Sequence, residues 1–256
     1  MSLQRYKQKR NFRRTPEPEG KVTRRHPRLP MFVIQKHDAT RLHYDFRLEF
    51  EGVLKSWAVP KGIPKMKGDK RLAMHVEDHP VEYGEFEGVI PSGYGAGIVM
   101  LWDRGTWTPE GDIDAGLEKG DLKFTLDGYK LKGSWVLVRT KGRWAGAPTD
   151  GRSWLLIKHR DHWSSGELDI AAFAPLSVKG GGDFVDILSA DTPEIWTSSR
   201  PAQGGETGAL FDRIVREALA RRANRAPSAG GTGTETATRA RKTAAAPPGG
   251  RRAKSR

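Results

Sequence analysis

The run Leu42-His-Tyr-Asp-Phe-Arg-Leu-Glu-Phe50 decides how this chain is read. Leu42, Tyr44, Phe46, Leu48 and Phe50 fall on one face, with His43, Asp45, Arg47 and Glu49 on the other. That is the period-two pattern of a half-buried strand. His43 and Asp45 then project side by side, with Arg47 next along the same face. An imidazole and a carboxylate on one face, joined by a third ligand from nearby, suit a divalent metal. His37 stands just upstream, in Phe32-Val-Ile-Gln-Lys-His-Asp-Ala-Thr-Arg41. An arginine beside such a group suits phosphate, because its planar fork engages two oxygens at once. A His-x-Asp pair also occurs on ordinary solvated strand faces. The clustering favours a site, since four of the seven histidines lie between His37 and His79.

Working outward, Glu51-Gly52 is a hairpin corner and Val53 to Pro60 a second strand containing Trp57. Lys61 to Lys70, with Gly62, Pro64 and Gly68 among its lysines, is a basic loop. Arg71 to His79 alternates again, with Arg71, Ala73, His75, Glu77 and His79 on one face. Spacing alone also allows His75, Glu77 and His79 as a second metal cluster, the plainer reading being an exposed strand face. Tyr83 and five glycines, Gly84 to Gly97, follow. Such turns can cradle phosphate, but tight barrel corners explain them better. Ile98–Trp102, Leu122–Leu126, Gly133–Thr140 and Trp154–His159 are further strands between Gly/Asp turns, and their spacing suits an all-β barrel. Trp102, Trp107, Trp135 and Trp154 have apolar neighbours and read as core rather than as base-stacking platforms.

The chain has 256 residues and no cysteine, which excludes disulfides and thiolate metal sites. It has no apolar run of membrane-spanning length and no apolar leader, so a soluble, intracellular protein is expected. The net charge of +13 is unevenly placed. Residues 1–29 carry ten Lys/Arg against two acids, and 221–256 carry ten against one. The intervening 30–220 are net −4. Basic tails around an acidic centre read as electrostatic arms for a nucleic acid, solubilising termini being the alternative. Four parts are expected. Residues 1–30 form a basic arm without regular structure, 31–163 a small closed antiparallel β-barrel with few short helices, 164–222 an extension, and 223–256 a disordered basic tail. Asp183–Leu188 and Leu210–Leu219 are amphipathic segments of the extension able to pack on the barrel.

The residues quoted above, with Leu54-Lys-Ser-Trp-Ala-Val-Pro-Lys-Gly62, Val76-Glu-Asp-His-Pro80, Phe86-Glu-Gly-Val-Ile-Pro91 and Tyr94-Gly-Ala-Gly97, closely resemble the 3′-phosphoesterase domain of bacterial DNA ligase D. The resemblance covers about Arg5 to His162 and includes that domain's free-standing forms. It implies an antiparallel barrel and a manganese-dependent hydrolase, other divalent metals being possible. Such an enzyme removes a 3′-terminal ribonucleoside and then the 3′-phosphate left behind. His79 and Tyr83 match family positions, as do Lys61 and Arg71, both expected near the phosphate. In the arm, Arg10 and Glu17 match, while Asn11 stands where the family has an aspartate. An amide can hydrogen-bond but cannot neutralise a cation. The implied site is then His37, His43 and Asp45 for metal, with His79, Arg47, Tyr83, Lys61, Arg71, Arg10 and Glu17 around the phosphate. Expected partners are DNA 3′ ends and an end-joining ligase, polymerase or end-binding protein, in a nucleoid-associated cytoplasmic setting without membrane. The rivals are a non-catalytic module that recruits ligase or polymerase to DNA ends, and a metalloprotein with no nucleic-acid role.

Overall fold

A computed structural model describes residues 3–8, 29–64, 66, 68–90, 95–140, 150–164, 168–190 and 216–221. In chain order the elements are α1 (Gln4–Gln8), β1 (Met31–Asp38), β2 (Leu42–Phe50), β3 (Val53–Val59), β4 (Lys70–His75), β5 (His79–Pro80), a 3₁₀ turn at Val81–Glu85, β6 (Gly88–Ile90), β7 (Gly97–Pro109), α2 (Ile113–Lys119), β8 (Asp121–Gly128), β9 (Lys132–Arg139), β10 (Ser153–Lys158), α3 (Ile170–Phe173) and α4 (Phe184–Ser189). The strands run β1-β2-β3-β4-β10-β9-β8-β7, and β7 pairs back onto β1. Eight antiparallel strands therefore close into a barrel, which removes every sheet edge from that ring. β5 lies outside it on β3, and β6 on β7.

Local chemistry sets the register. Glu51 and Gly52 both have positive φ, 51° and 74°. That is the two-residue hairpin turn whose twist matches the flanking strands. It fixes Phe50 opposite Val53 and, counting back, Arg47 opposite Ser56. The even-numbered face of β2 turns inward. Tyr44, Phe46 and Leu48 join Phe32, Ile34, Trp57, Val59, Phe124 and the four expected core tryptophans in one buried cluster. The odd-numbered face, with His43, Asp45 and Arg47, looks outward. β7 is longer than Ile98–Trp102, because its first half serves β1 and β6 and its second half β8. Gly97 opens it with φ 152°, where an added Cβ would lie 2.1 Å from the Asp38 carbonyl oxygen. Only glycine fits so close a backbone approach.

Two expectations are corrected, and one helix is added. Residues 4–8 are helical rather than irregular, because Leu3 and Tyr6 bury their side chains against Val53. Arg71 to His79 is not one strand. β4 stops at His75, three irregular residues intervene, and β5 pairs His79 opposite Leu54 of β3. α2 was not anticipated, although Asp112 caps it by accepting the Ala115 N–H at 2.7 Å and Gly120 ends it at φ 78°.

After the barrel, the chain packs along β7. Trp102 Nε1 donates to the Ala174 carbonyl (3.0 Å) and the Val178 N–H to the Leu101 carbonyl (2.9 Å). α4 matches Asp183–Leu188 and begins with a capping box between Asp183 and Asp186. Its Phe184 and Val185 enter the barrel cluster, as does Ala218 of the helical stretch 216–221. Residues 210–215 of the second amphipathic segment, and the whole tail from 222, lie outside the described residues. Among those described, no helix is long and apolar enough to cross a membrane.

Asp103 of β7 is fully buried and shapes the turn between β8 and β9, accepting the N–H groups of Arg104, Lys130 and Leu131 at 2.8–3.0 Å. Burial pushes its carboxyl up to about 6, against the pull of those N–H groups and of the Lys130 ammonium. A folded value above the ordinary 3.8 means that folding favours the protonated form. Its contribution is fully present below about pH 4 and lost as pH rises through about 6. Across that window the wild type should lose on the order of 2–3 kcal/mol relative to Asp103→Asn. Thermal melts of both proteins from pH 4 to 7.5 would show it, and parallel curves would mean that the carboxyl is ionised throughout.

Candidate metal centre

The site is assembled on the outer wall of the barrel, under a roof made by residues 79–90. β1 and β2 place His37 directly opposite His43, and their rings stand 4.8 Å apart. Asp45 lies two residues further along β2. His37 Nδ1 is 3.7 Å from Asp45 Oδ2, and His43 Nε2 is 3.9 Å from Asp45 Oδ1. Both gaps exceed a hydrogen bond. The remaining ring nitrogens are engaged elsewhere, His37 Nε2 with the Gly95 carbonyl (2.9 Å) and His43 Nδ1 with the Arg41 carbonyl (2.8 Å). A carbonyl only accepts, so each of those nitrogens carries the hydrogen. In its neutral form each ring then turns a lone pair toward the carboxylate. Three facing electron-rich atoms repel one another unless a cation lies between them.

The donor set fits a divalent metal on this ground. The three ligand atoms lie within 4.8 Å of one another, the one such group of His, Asp or Glu among the described residues. Two imidazole nitrogens and a carboxylate oxygen suit first-row divalent ions. The backbone carbonyls that fix the far nitrogens are the outer partners such ligands need. Burial pushes the His37 imidazole down, with Asp45 only partly opposing, which favours the neutral, ligating form. Burial alone would raise the Asp45 carboxyl. The Arg47 guanidinium is the largest pull against it, and the group stays well below the usual carboxylate range.

Arg47 is 2% exposed and ties the centre together. Its Nη2 donates to Asp45 Oδ2 (3.0 Å), Nε to Gln35 Oε1 (2.8 Å) and Nη1 to Ser56 Oγ (2.8 Å). Nη1 also lies 3.0 Å from His79 Nδ1, and the guanidinium covers the Tyr83 ring at 5.0 Å. Gln35 in turn donates to the Tyr83 and Phe86 carbonyls at 3.0 and 2.9 Å, which pins the roof to the barrel wall. His79 Nδ1 is 2.9 Å from the Glu77 carbonyl, and its ring stands 5.0 Å from that of Tyr83 and 6.0 Å from that of Tyr6.

The structure thus brings His37, His43, Asp45, Arg47, His79 and Tyr83 together. It leaves Lys61 exposed in the turn after β3. Arg71 is ion-paired with Asp69 and shares its face of β4 with Ala73 and His75. Those two stand opposite the core residues Trp154 and Trp57, so this face looks into the barrel, away from the metal group. The same division separates His75 from His79 and dissolves the second cluster. Arg10, Asn11 and Glu17 lie outside the described residues. Sequence reasoning missed Gln35, Ser56 and the Gly95 carbonyl. The first two were within reach, Gln35 by its two-residue spacing from His37 and Ser56 by counting across the hairpin.

Residues 35–139 match the family described as the DNA ligase D 3′-phosphoesterase domain. That segment belongs to this family. Every residue of the centre except the distant Tyr6 lies within it. A multifunctional non-homologous end joining protein LigD from Pseudomonas aeruginosa is 48% identical over 211 residues, 80% of this chain and 24% of that protein. The multifunctional non-homologous end joining DNA repair protein LigD of Mycobacterium tuberculosis is 48% identical over 144 residues, 56% of this chain and 19% of its own length. The LigD of Mycolicibacterium smegmatis is 39% identical over 183 residues, 69% of this chain and 22% of that one. The chain spans about a quarter or less of the length of these relatives. Against the Pseudomonas protein, the likeness extends well beyond the 3′-phosphoesterase segment.

Proposed function

We propose that this chain is a divalent-metal-dependent phosphoesterase that processes DNA 3′ ends during end joining. It removes a 3′-terminal ribonucleoside and then the 3′-phosphate, with manganese as the working metal. The observation that carries this reading is the paired imidazoles, each tied back to a backbone carbonyl and facing Asp45, in a domain of 3′-phosphoesterase type. His37, His43 and Asp45 would hold the metal, which supplies Lewis-acid neutralisation of phosphoryl charge.

The chain's own groups do the rest. Hydrolysis of the monoester adds a water oxygen to phosphorus and breaks the bond to the 3′ oxygen, which must gain a proton. Arg47 has five N–H donors. Its donations to Gln35, Ser56 and Asp45 occupy three, so N–H groups remain for a phosphate oxygen. Because it is already locked in place, it needs no reorganisation when charge develops. His79 presents its second ring nitrogen while Nδ1 is held by the Glu77 carbonyl, and it is our choice to protonate the leaving oxygen. Tyr83 hydrogen-bonds the phosphate. Lys61, exposed after β3, would touch oxygens or nucleotides outside this cluster.

The deciding experiment incubates purified protein with a 3′-phosphate-ended primer–template, with manganese and with chelator. Phosphate release should require added metal. Release unchanged by chelation, or tight binding with no product under any divalent ion, would sink the reading. The second outcome would leave the recruiting module.

A further inference from the structure

The hairpin between β8 and β9 carries aromatic rings that the core does not use. Tyr129 at its tip is 70% exposed, and Trp163, beside its return strand, is 56% exposed. Each ring has a cation above it, Arg104 at 6.0 Å from Tyr129 and Lys132 at 5.7 Å from Trp163. His162 meets the Trp163 ring edge-on, and Arg160 is exposed nearby. Lys132 is only three residues from Tyr129, so about 10 Å of chain at most separates them. The carboxylates facing this patch are Glu85, Asp127 and Asp161. Each already holds a cation, respectively Arg104, Lys132 and Lys158. Exposed pairs of this kind contribute little, so Arg104 and Lys132 can turn to another anion at small cost.

We infer that Tyr129 and Trp163 form a stacking platform for a single-stranded nucleic-acid segment adjoining the end held at the metal centre. Exposed rings interleaved with cations suit bases and phosphates together, without demanding a sequence. The Tyr129 end of the platform stands on the same outer wall as the site. Arg104 pairs with Val33 of β1, four residues from His37, and its side chain is bonded to Glu85 in the turn that carries Tyr83. Four strand residues span about 13 Å, or about four nucleotide steps at 3.4 Å each. The placement relative to the end rests on the proposed function, whereas the binding itself does not.

The test is the double variant Tyr129→Ala/Trp163→Ala in the full chain, with a labelled oligothymidylate and a blunt duplex as probes. Stacking of one base on a ring changes affinity by roughly five- to a hundredfold. The variant should therefore bind oligothymidylate at least about tenfold more weakly. Its affinity for blunt duplex should change less than about twofold, and its cleavage of saturating substrate should be unchanged. Equal oligothymidylate affinity in the two proteins overturns the platform. So does a variant that sediments differently from the wild type in the absence of nucleic acid, which would make the patch a self-association surface. Oligothymidylate binding without any 3′ product would sink the proposed reaction and leave the platform standing.

Discussion

His43→Ala is expected to abolish phosphate release while leaving the protein folded. The His43 side chain is 23% exposed, the most accessible of the three ligands, and its ring leaves no buried charge behind. Charge neutralisation at a phosphoryl group is worth several kcal/mol, so turnover should fall about a thousandfold or more. Metal titration by calorimetry should show the matching loss of affinity, with the thermal midpoint of the metal-free protein little changed. Near wild-type turnover at saturating manganese would remove His43 from the centre. Asp45→Ala is a poorer probe than its place on a polar strand face suggests. Asp45 is 8% exposed and balances the buried Arg47. Removing it strands a guanidinium, at about 3–5 kcal/mol, so loss of activity would be confounded with loss of the fold. Asp45→Asn keeps the shape and is the variant to use.

The second large effect concerns His79. If it protonates the leaving oxygen, His79→Ala should lower kcat by about 10²–10⁴-fold. Affinity for a primer–template should change less than about threefold. The structure supplies the control, because His79 also borders Arg47, Ser56 and Tyr83. A residue that merely supports them would, when lost, let Arg47 shift and weaken binding together with rate. Equal loss of affinity and turnover therefore assigns His79 to support rather than proton transfer. His79→Gln, which can hydrogen-bond but cannot donate a proton in this way, should be as slow as the alanine variant if the role is acid catalysis.

Much of the architecture was legible in the residues because it rests on local rules. The alternation of Leu42 to Phe50 separates a core face from a ligand face. Glu51-Gly52 demands a tight hairpin, and the two together place His43, Asp45 and Arg47 in a row. The core role of the four tryptophans followed from apolar neighbours, and α4 from its spacing. What misled was continuity. Arg71 to His79 alternates as one strand, yet the chain breaks after His75 because His79 and Pro80 gain a partner in β3. No period in the sequence shows that exchange.

Tertiary structure alone decided which polar face becomes a site. The pattern could say that His43, Asp45 and Arg47 share a side of a strand, but on an ordinary barrel that side is wet. Here the roof buries it, and burial changes the chemistry. It favours the neutral form of His37, makes Arg47 indispensable to Asp45, and draws Gln35, Ser56 and the Gly95 carbonyl in as partners for the buried donors. Those contacts join residues up to 58 positions apart in the chain, so their spacing carries no signal of its own. The sequence determined the ligands by residue type and local period. Only the closing of β7 onto β1 and the folding-over of residues 79–90 determined that they meet out of water, where such groups act most strongly.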